Sequence, residues 1–296
     1  MYIEHFGLEQ APFTITPDKG FFLNQGSHNE ALNVLLVALR SGEGFIKVTG
    51  EVGTGKTLLC RKLLNTLDEE FVTAYIPNPS LNANALRMAL AEELGIKFAR
   101  NAGQHRLLQL ITERLIELNR AGRQVALLLD EAQAMPDETM EALRLLTNLE
   151  TEKDKLLQVV LFGQPELDRR LQQDNLRQLK QRILFSYFLK PLDRKTLSIY
   201  LNHRMLVAGY RGQPLFTSRA LRSLYRNSRG IPRLINVLSH KAMMSAYGRG
   251  DHYIGEKHIC RAAADTEDVR TPPSRRLAVA AGLFGLLTLT SAGLLA

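Results

Sequence analysis

The sequence of 296 residues has no tryptophan, two cysteines, and no internal repeat or low-complexity tract. Two thiols, Cys60 and Cys260, are too few for a disulfide framework and suggest a reducing compartment. The opening residues, Met1 to Gln10, contain no basic stretch followed by an apolar run, so no signal peptide is read there. His252, His258 and Cys260 lie close together but match no standard zinc spacing, which argues against a structural metal site. Acidic charge is missing from one long stretch. Residues 170–249 carry 16 Lys/Arg against Asp174 and Asp193 alone, a local balance of +14 within a total of +8, leaving −6 for the rest. Such a field suits phosphates, nucleic acid or an anionic membrane surface, and is equally compatible with a solvated helical face.

What is present has the length and apolar content for one large domain and a smaller one. After a loop-like opening (Pro12, Pro17, Gly20, Gly26), Glu30 to Arg40 reads as a Leu- and Ala-rich helix. Apolar runs then alternate with helical patterns. The runs are Phe45–Thr49, Val72–Ile76, Val125–Leu129, Leu157–Phe162 and Ile183–Leu189; the helices fall near Lys56–Leu67, Leu81–Leu94 and Gln104–Asn119. Continuous apolar strands separated by helices predict a parallel sheet covered on both faces. From Pro191 onward the pattern is helical only: Asp193 caps one helix, Thr217 or Ser218 opens a second, and Pro232 starts a third that ends at Gly248. The expected organisation is an α/β nucleotide-binding domain with an N-terminal extension over 1–190, a small all-helical domain over 191–265, and a linker over 266–276.

Gly50-Glu51-Val52-Gly53-Thr54-Gly55-Lys56-Thr57 matches the P-loop pattern in full and sits between a predicted strand and a helix, where its mechanism requires it. Glycines let the backbone wrap a phosphate with its N–H groups, and the helix N-terminus adds positive potential. Lys56 is placed to reach the β- and γ-phosphates, the Thr57 hydroxyl to ligate Mg²⁺, and Leu58 completes the nucleotide-binding set. The third strand runs into Asp130-Glu131. Two carboxylates at the end of a buried strand need a cation nearby, and beside a P-loop that cation is Mg²⁺. Asp130 is read as its holder and Glu131 as the group that orients or deprotonates the attacking water.

The order of P-loop, Asp-Glu strand, fourth strand, basic segment and small helical lid resembles the AAA+ ATPases from about residue 30 to 265. The resemblance implies a polar γ-phosphate sensor at the end of the fourth strand, where Gln164 stands in Leu161-Phe162-Gly163-Gln164; Asn, Ser or Thr is commoner there, and a turn residue before Pro165 is the other reading. It implies an arginine finger in the segment Leu179-Lys180-Gln181-Arg182-Ile183, with Arg182 first and Arg177 second, either of which is also compatible with a surface salt bridge. It implies a second sensor at Arg233 in Gly230-Ile231-Pro232-Arg233, where a cation in the first turn of a helix opposes the helix dipole. The opening segments (Tyr2 to Phe6, Ala11-Pro12-Phe13, Thr16-Pro17-Asp18, Phe21-Phe22, His28, Glu30-Ala31-Leu32) and Phe162-Gly163-Gln164-Pro165-Glu166-Leu167 narrow this to the GspA/ExeA group of general secretion ATPases, closest to those of MSHA-type (type IV) pilus biogenesis.

Leu277 to Ala296 contains no charged residue. As a helix it would extend ~30 Å, the thickness of a bilayer's hydrocarbon core. Arg275 and Arg276 precede it, so the positive-inside tendency predicts a single C-terminal span in the inner membrane with the ATPase facing the cytoplasm and no exported domain. The expectation is therefore a membrane-tethered, Mg²⁺-dependent, homo-oligomeric AAA+ ATPase that works with pilus or secretion assembly proteins. A DNA-transaction ATPase is the alternative: the basic lid favours nucleic acid, whereas the missing DNA-binding motif and the apolar tail count against it.

Overall fold

The computed structural model describes residues 2–14, 21, 26–99, 103–150 and 155–269. Five strands, β1 (Phe45–Thr49), β2 (Phe71–Ile76), β3 (Gln124–Leu129), β4 (Gln158–Gly163) and β5 (Ile183–Phe188), form one sheet in the order β2-β3-β4-β1-β5. Every pairing is parallel. β3 and β4 are almost wholly buried, as expected for central parallel strands, whereas edge strand β5 alternates between half-buried and exposed residues. The helices that follow are α1 (Tyr2–His5), α2 (Ser27–Arg40), α3 (Lys56–Leu64), α4 (Ala83–Glu93), α5 (Gln104–Arg120), α6 (Asp137–Leu146), α7 (Pro165–Arg170) and α8 (Arg177–Arg182).

One apolar core packs α4, α5 and α6 on the sheet through Leu86, Leu90, Leu107, Ile111, Leu115 and Leu143 against Leu127, Leu129 and Val159. A second covers the other face, with Leu35, Leu39, Leu59 and Leu63 of α2 and α3 against Val48, Leu128 and Phe162. Alternation along β3 explains the division: Leu127 and Leu129 belong to one core, Ala126 and Leu128 to the other.

Beyond β5 come α9 (Arg194–Val207), α10 (Ser218–Ser228), α11 (Pro232–Tyr247) and α12 (Glu256–Ala264). Asp193 caps α9 by accepting from the Thr196 N–H, and Thr217 caps α10 through Ala220 N–H, each worth about 1 kcal/mol. These helices enclose a third core of Leu197, Leu201, Leu224, Ile235, Leu238 and Ile259. The N-terminal segment packs with these helices. Phe6, Leu8, Phe13 and Phe21 are buried in the helical core, and Glu9 N–H donates to Ala208 O. Four large apolar side chains in a short opening stretch need a core, and the small helical bundle provides it.

The expected membrane span at 277–296 lies outside the described residues; among those described, no helix is long and apolar enough to cross a membrane. The sheet and the helical bundle meet at a backbone junction. Leu192 N–H donates to Gly230 O at 2.9 Å, and Gly230 has φ +76°. A Cβ on Gly230 would fall 2.0 Å from Leu192 O, a backbone atom that has no side-chain freedom to yield. Gly230→Ala is therefore expected to lower stability by about 2–4 kcal/mol, read as a drop in the urea midpoint at constant slope; an unchanged midpoint would mean this junction tolerates displacement.

Candidate nucleotide site

The P-loop leaves β1 at Gly50 and enters α3 at Lys56, so the loop lies at the C-terminal edge of the sheet. Two of its glycines have positive φ, Gly53 at 81° and Gly55 at 99°, and both are also points of close approach. A Cβ on Gly53 would lie 2.7 Å from the Arg233 Cβ, and one on Gly55 would lie 2.8 Å from His28 Nε2. Buried His28 is bonded to the Thr54 carbonyl at 2.8 Å, and burial holds its pKa below the ordinary histidine value, so the neutral ring donates from Nε2 and braces the loop from behind. Lys56 is 6% exposed and donates to Gly50 O at 2.8 Å and Glu51 O at 3.0 Å. Burial lowers its pKa, and the nearby carboxylates of Glu131, Asp130 and Glu51 counter that shift.

Asp130 and Glu131 follow β3 and face the loop. Asp130 is 2% exposed; burial raises its pKa, against hydrogen bonds from the Thr57 hydroxyl and the Glu131 N–H. A buried carboxylate beside a hydroxyl, with only partial hydrogen-bond support, is a hard-oxygen donor set that fits Mg²⁺, which takes one or two protein oxygens and keeps its remaining coordination for water and phosphate. Glu131 has φ +53°, uncommon for a residue with a Cβ and found at sites where geometry is imposed from outside.

The constraint on Glu131 comes from two glutamines. Glu131 Oε2 accepts from Gln133 Nε2 at 2.5 Å and from Gln164 Nε2 at 3.1 Å, while Gln133 Oε1 accepts the Gln164 backbone N–H at 3.0 Å. Gln133 thus bridges the Glu131 carboxylate and the end of β4. The turn carrying it is fixed by Arg170 of α7, which donates to Gln133 O at 2.6 Å and pairs with Asp137. α7 is itself tied to β1, because Asp168 pairs with Lys47 and accepts from the Thr49 hydroxyl at 2.9 Å. Sequence reasoning misses Gln133, because its role comes from contact with Gln164, which is distant in sequence.

The lid supplies the opposite wall. Arg233 stands in the first turn of α11, and its N–H donates to Gly53 O at 3.2 Å. One cavity of about 290 Å³ is lined by Val52, Gly53, Gly55, Lys56, Thr57, Leu58, Glu131, Gln164 and Arg233, together with Thr14, Tyr200, Arg204 and Asn236. The P-loop, the proposed base, the polar residue after β4 and the lid arginine therefore share one space. Arg182 and Arg177 do not line it. Arg182 is half-buried and reaches Thr147 Oγ1 at 3.3 Å and Arg144 O at 3.5 Å, at the end of α6; Arg177, at the start of α8, is exposed. The part of the wall formed by Tyr200 and Arg204 also went unread in the sequence. Arg204 is 6% exposed, donates to Pro12 O and to the Tyr200 hydroxyl, and lies 4.4 Å from the centre of the Phe21 ring.

Residues 39–171 match the family model described as AAA domain. Over 287 residues, 97% of this chain, the sequence is 43% identical to general secretion pathway protein A of Aeromonas hydrophila, and it spans about half (52%) of that protein's length. The fold is similar to Cdc6p of Pyrobaculum aerophilum (TM-score 0.67, 18% identity, 88% of this chain and 74% of that one) and to the ORC2 protein of Aeropyrum pernix (TM-score 0.61, 17% identity, 88% and 74%). It is also similar to the RuvB branch-migration motor of Thermotoga maritima (TM-score 0.53, 16% identity, 86% and 72%). At these identities the structural likeness concerns the fold.

Two outcomes are expected at this site. Gln133→Ala removes one of two donors on Glu131 and should reduce kcat by about 10-fold or more, with ATP affinity changed less than twofold; loss of affinity with unchanged kcat would refute the positioning role. His28 has a depressed folded pKa, so its contribution to stability is present above the ordinary value of about 6.5 and is lost as pH falls through the folded pKa. Wild type should therefore lose more stability than His28→Gln between pH 7 and 5 in denaturant titrations.

Proposed function

Since the chain is an AAA+ P-loop ATP hydrolase of the general secretion pathway protein A kind, we propose that it is a membrane-tethered ATPase whose cycle, in a homo-oligomer, supports assembly of a secretion apparatus or an MSHA-like type IV pilus. The observation that carries the catalytic part is the convergence of Lys56, Glu131, Gln164 and Arg233 on one cavity. The assembly role draws on the 43% identity, and the tether on the uncharged run Leu277–Ala296 behind Arg275 and Arg276, which marks the inner membrane with the ATPase on the cytoplasmic side.

In this reading Lys56 exchanges its P-loop carbonyl partners for the β- and γ-phosphate oxygens of ATP. Thr57 and Asp130 would hold Mg²⁺, which would supply neutralisation of phosphate charge. Gln164 transfers its amide donor from Glu131 to the γ-phosphate and leaves the carboxylate with Gln133. Glu131 then orients a water and accepts its proton as the oxygen attacks phosphorus and the bond to the ADP oxygen breaks. Arg233 carries the change to the lid, because its backbone is bonded to Gly53 while its side chain borders the cavity.

An arginine finger must come from a neighbouring copy, and exposure then favours Arg177 over Arg182, whose guanidinium already has partners at the end of α6. Specific ATPase activity of the full chain should rise with protein concentration, and Arg177→Ala should lower it by about 10³-fold while Arg182→Ala has the smaller effect. A rate independent of concentration and of both substitutions would leave a self-contained site and end the shared-site reading.

A further inference from the structure

α10 carries Arg219, Arg222 and Arg226, and Arg229 follows directly as its C-cap; all four are exposed. Intervals of three and four residues place Arg219, Arg222 and Arg226 within an arc of about 60° along ~10 Å of helix, and Arg229 stands just past its end. The far side is buried through Ala220, Ser223, Leu224 and Ser228. No acidic residue occurs between Asp193 and Asp251, and among the described residues none of the four arginines forms an ion pair. Among the described residues, Arg222 alone of the four has a side-chain hydrogen-bond partner, the Ser218 carbonyl of its own helix at 3.4 Å. Arg229 adds a second, independent observation. It has φ +54°, the left-handed position after a helix that glycine normally takes, so a charged side chain is kept where the backbone disfavours one.

We propose that this arginine face docks on anionic lipid headgroups; the proposal rests on the membrane-tether reading above. Arg229 borders the same cleft as Asp268, so the chain leaves the bundle beside the end of the stripe. Seven residues, 270–276, separate Val269 from the uncharged run, and even fully extended they reach no more than about 29 Å. Any bilayer holding that run is therefore within reach of α10. Each arginine near an anionic leaflet favours docking by about fivefold, so four acting together bias it by several hundred-fold at low salt. Guanidinium groups suit this role because they stay charged and fork onto phosphate oxygens.

The native thiols allow a direct test. Cys260 is exposed on α12, with its Sγ 3.7 Å from Ser223 Oγ on α10, whereas Cys60 is buried. A donor dye on Cys260 of the full chain, in vesicles carrying a trace of acceptor-labelled lipid, reports the distance of α10 from the surface. Energy transfer should be higher in vesicles with 30% phosphatidylglycerol than in phosphatidylcholine alone. It should fall to the neutral level in about 0.5 M salt and in the Arg219, Arg222, Arg226 and Arg229→Gln variant. Equal transfer in both vesicle types, with the protein resistant to carbonate extraction, overturns the proposal and leaves the tether intact. Extraction by carbonate overturns both. Arginine-dependent binding of a short DNA duplex that abolishes the lipid effect assigns the stripe to nucleic acid instead. Transfer that depends on protein density but not on lipid charge assigns it to a second copy.

Discussion

The constraint on which the rest depends is the accumulation of charge at the C-terminal edge of β1, β3 and β4. Lys56 and Asp130 are buried and Glu131 is half-buried, and an unbalanced buried charge costs several kcal/mol. The molecule resolves this by mutual compensation. Carboxylates counter the depressed pKa of Lys56, the Thr57 hydroxyl counters the raised pKa of Asp130, and two glutamines saturate one oxygen of Glu131. The sheet order serves the same end: with β1 between β4 and β5 and β3 beside β4, the P-loop, the Asp-Glu pair and Gln164 emerge side by side.

Around that edge the structure is braced by backbone approach rather than by side-chain bulk. Gly53 lets α11 donate to the P-loop, Gly230 lets the lid root bond to Leu192, and Gly55 admits His28 behind the loop. The backbone bonds at Gly53 and Gly230 transmit displacement well, since neither partner can swing away on a flexible chain. A change at the phosphates therefore has a short path to the lid, through Gly53 and the first turn of α11. The N-terminal phenylalanines lengthen that path, because they bury in the helical core while residues 12–14 border Arg204 and the cavity.

The five strands were legible because each is a continuous apolar run between polar turns, and the structure finds them within a residue or two of their expected bounds. The P-loop was legible because its chemistry demands glycines at fixed spacing. What escaped was whatever depends on partners distant in sequence. Gln133 has no local mark, and its role arises only when β4 places Gln164 beside it. Arg204 read as one more cation in a basic stretch, although it is buried among Phe13, Phe21 and Tyr200. The short helices α7 and α8 lack the length for a periodic signal, and the N-terminal phenylalanines gave no hint of which core they would join.

The basic excess shows the same limit from the other side. Counted along the sequence it is one field of +14, but the fold divides it into groups with different duties. Arg204 is interior and lines the cavity together with Arg233, Arg170 is committed to Asp137 and the Gln133 carbonyl, and Arg182 is bonded to the end of α6. Among the cations that remain, Arg219, Arg222, Arg226 and Arg229 stand exposed along α10 and at its end, with no ion pair among the described residues, and Arg229 borders the same cleft as Asp268. A solvated helix would gain by interspersing acids at i+3 or i+4, and α10 has none. An external surface of opposite charge would relieve the repulsion among its guanidinium groups, and that is the physical basis on which docking at this face is proposed.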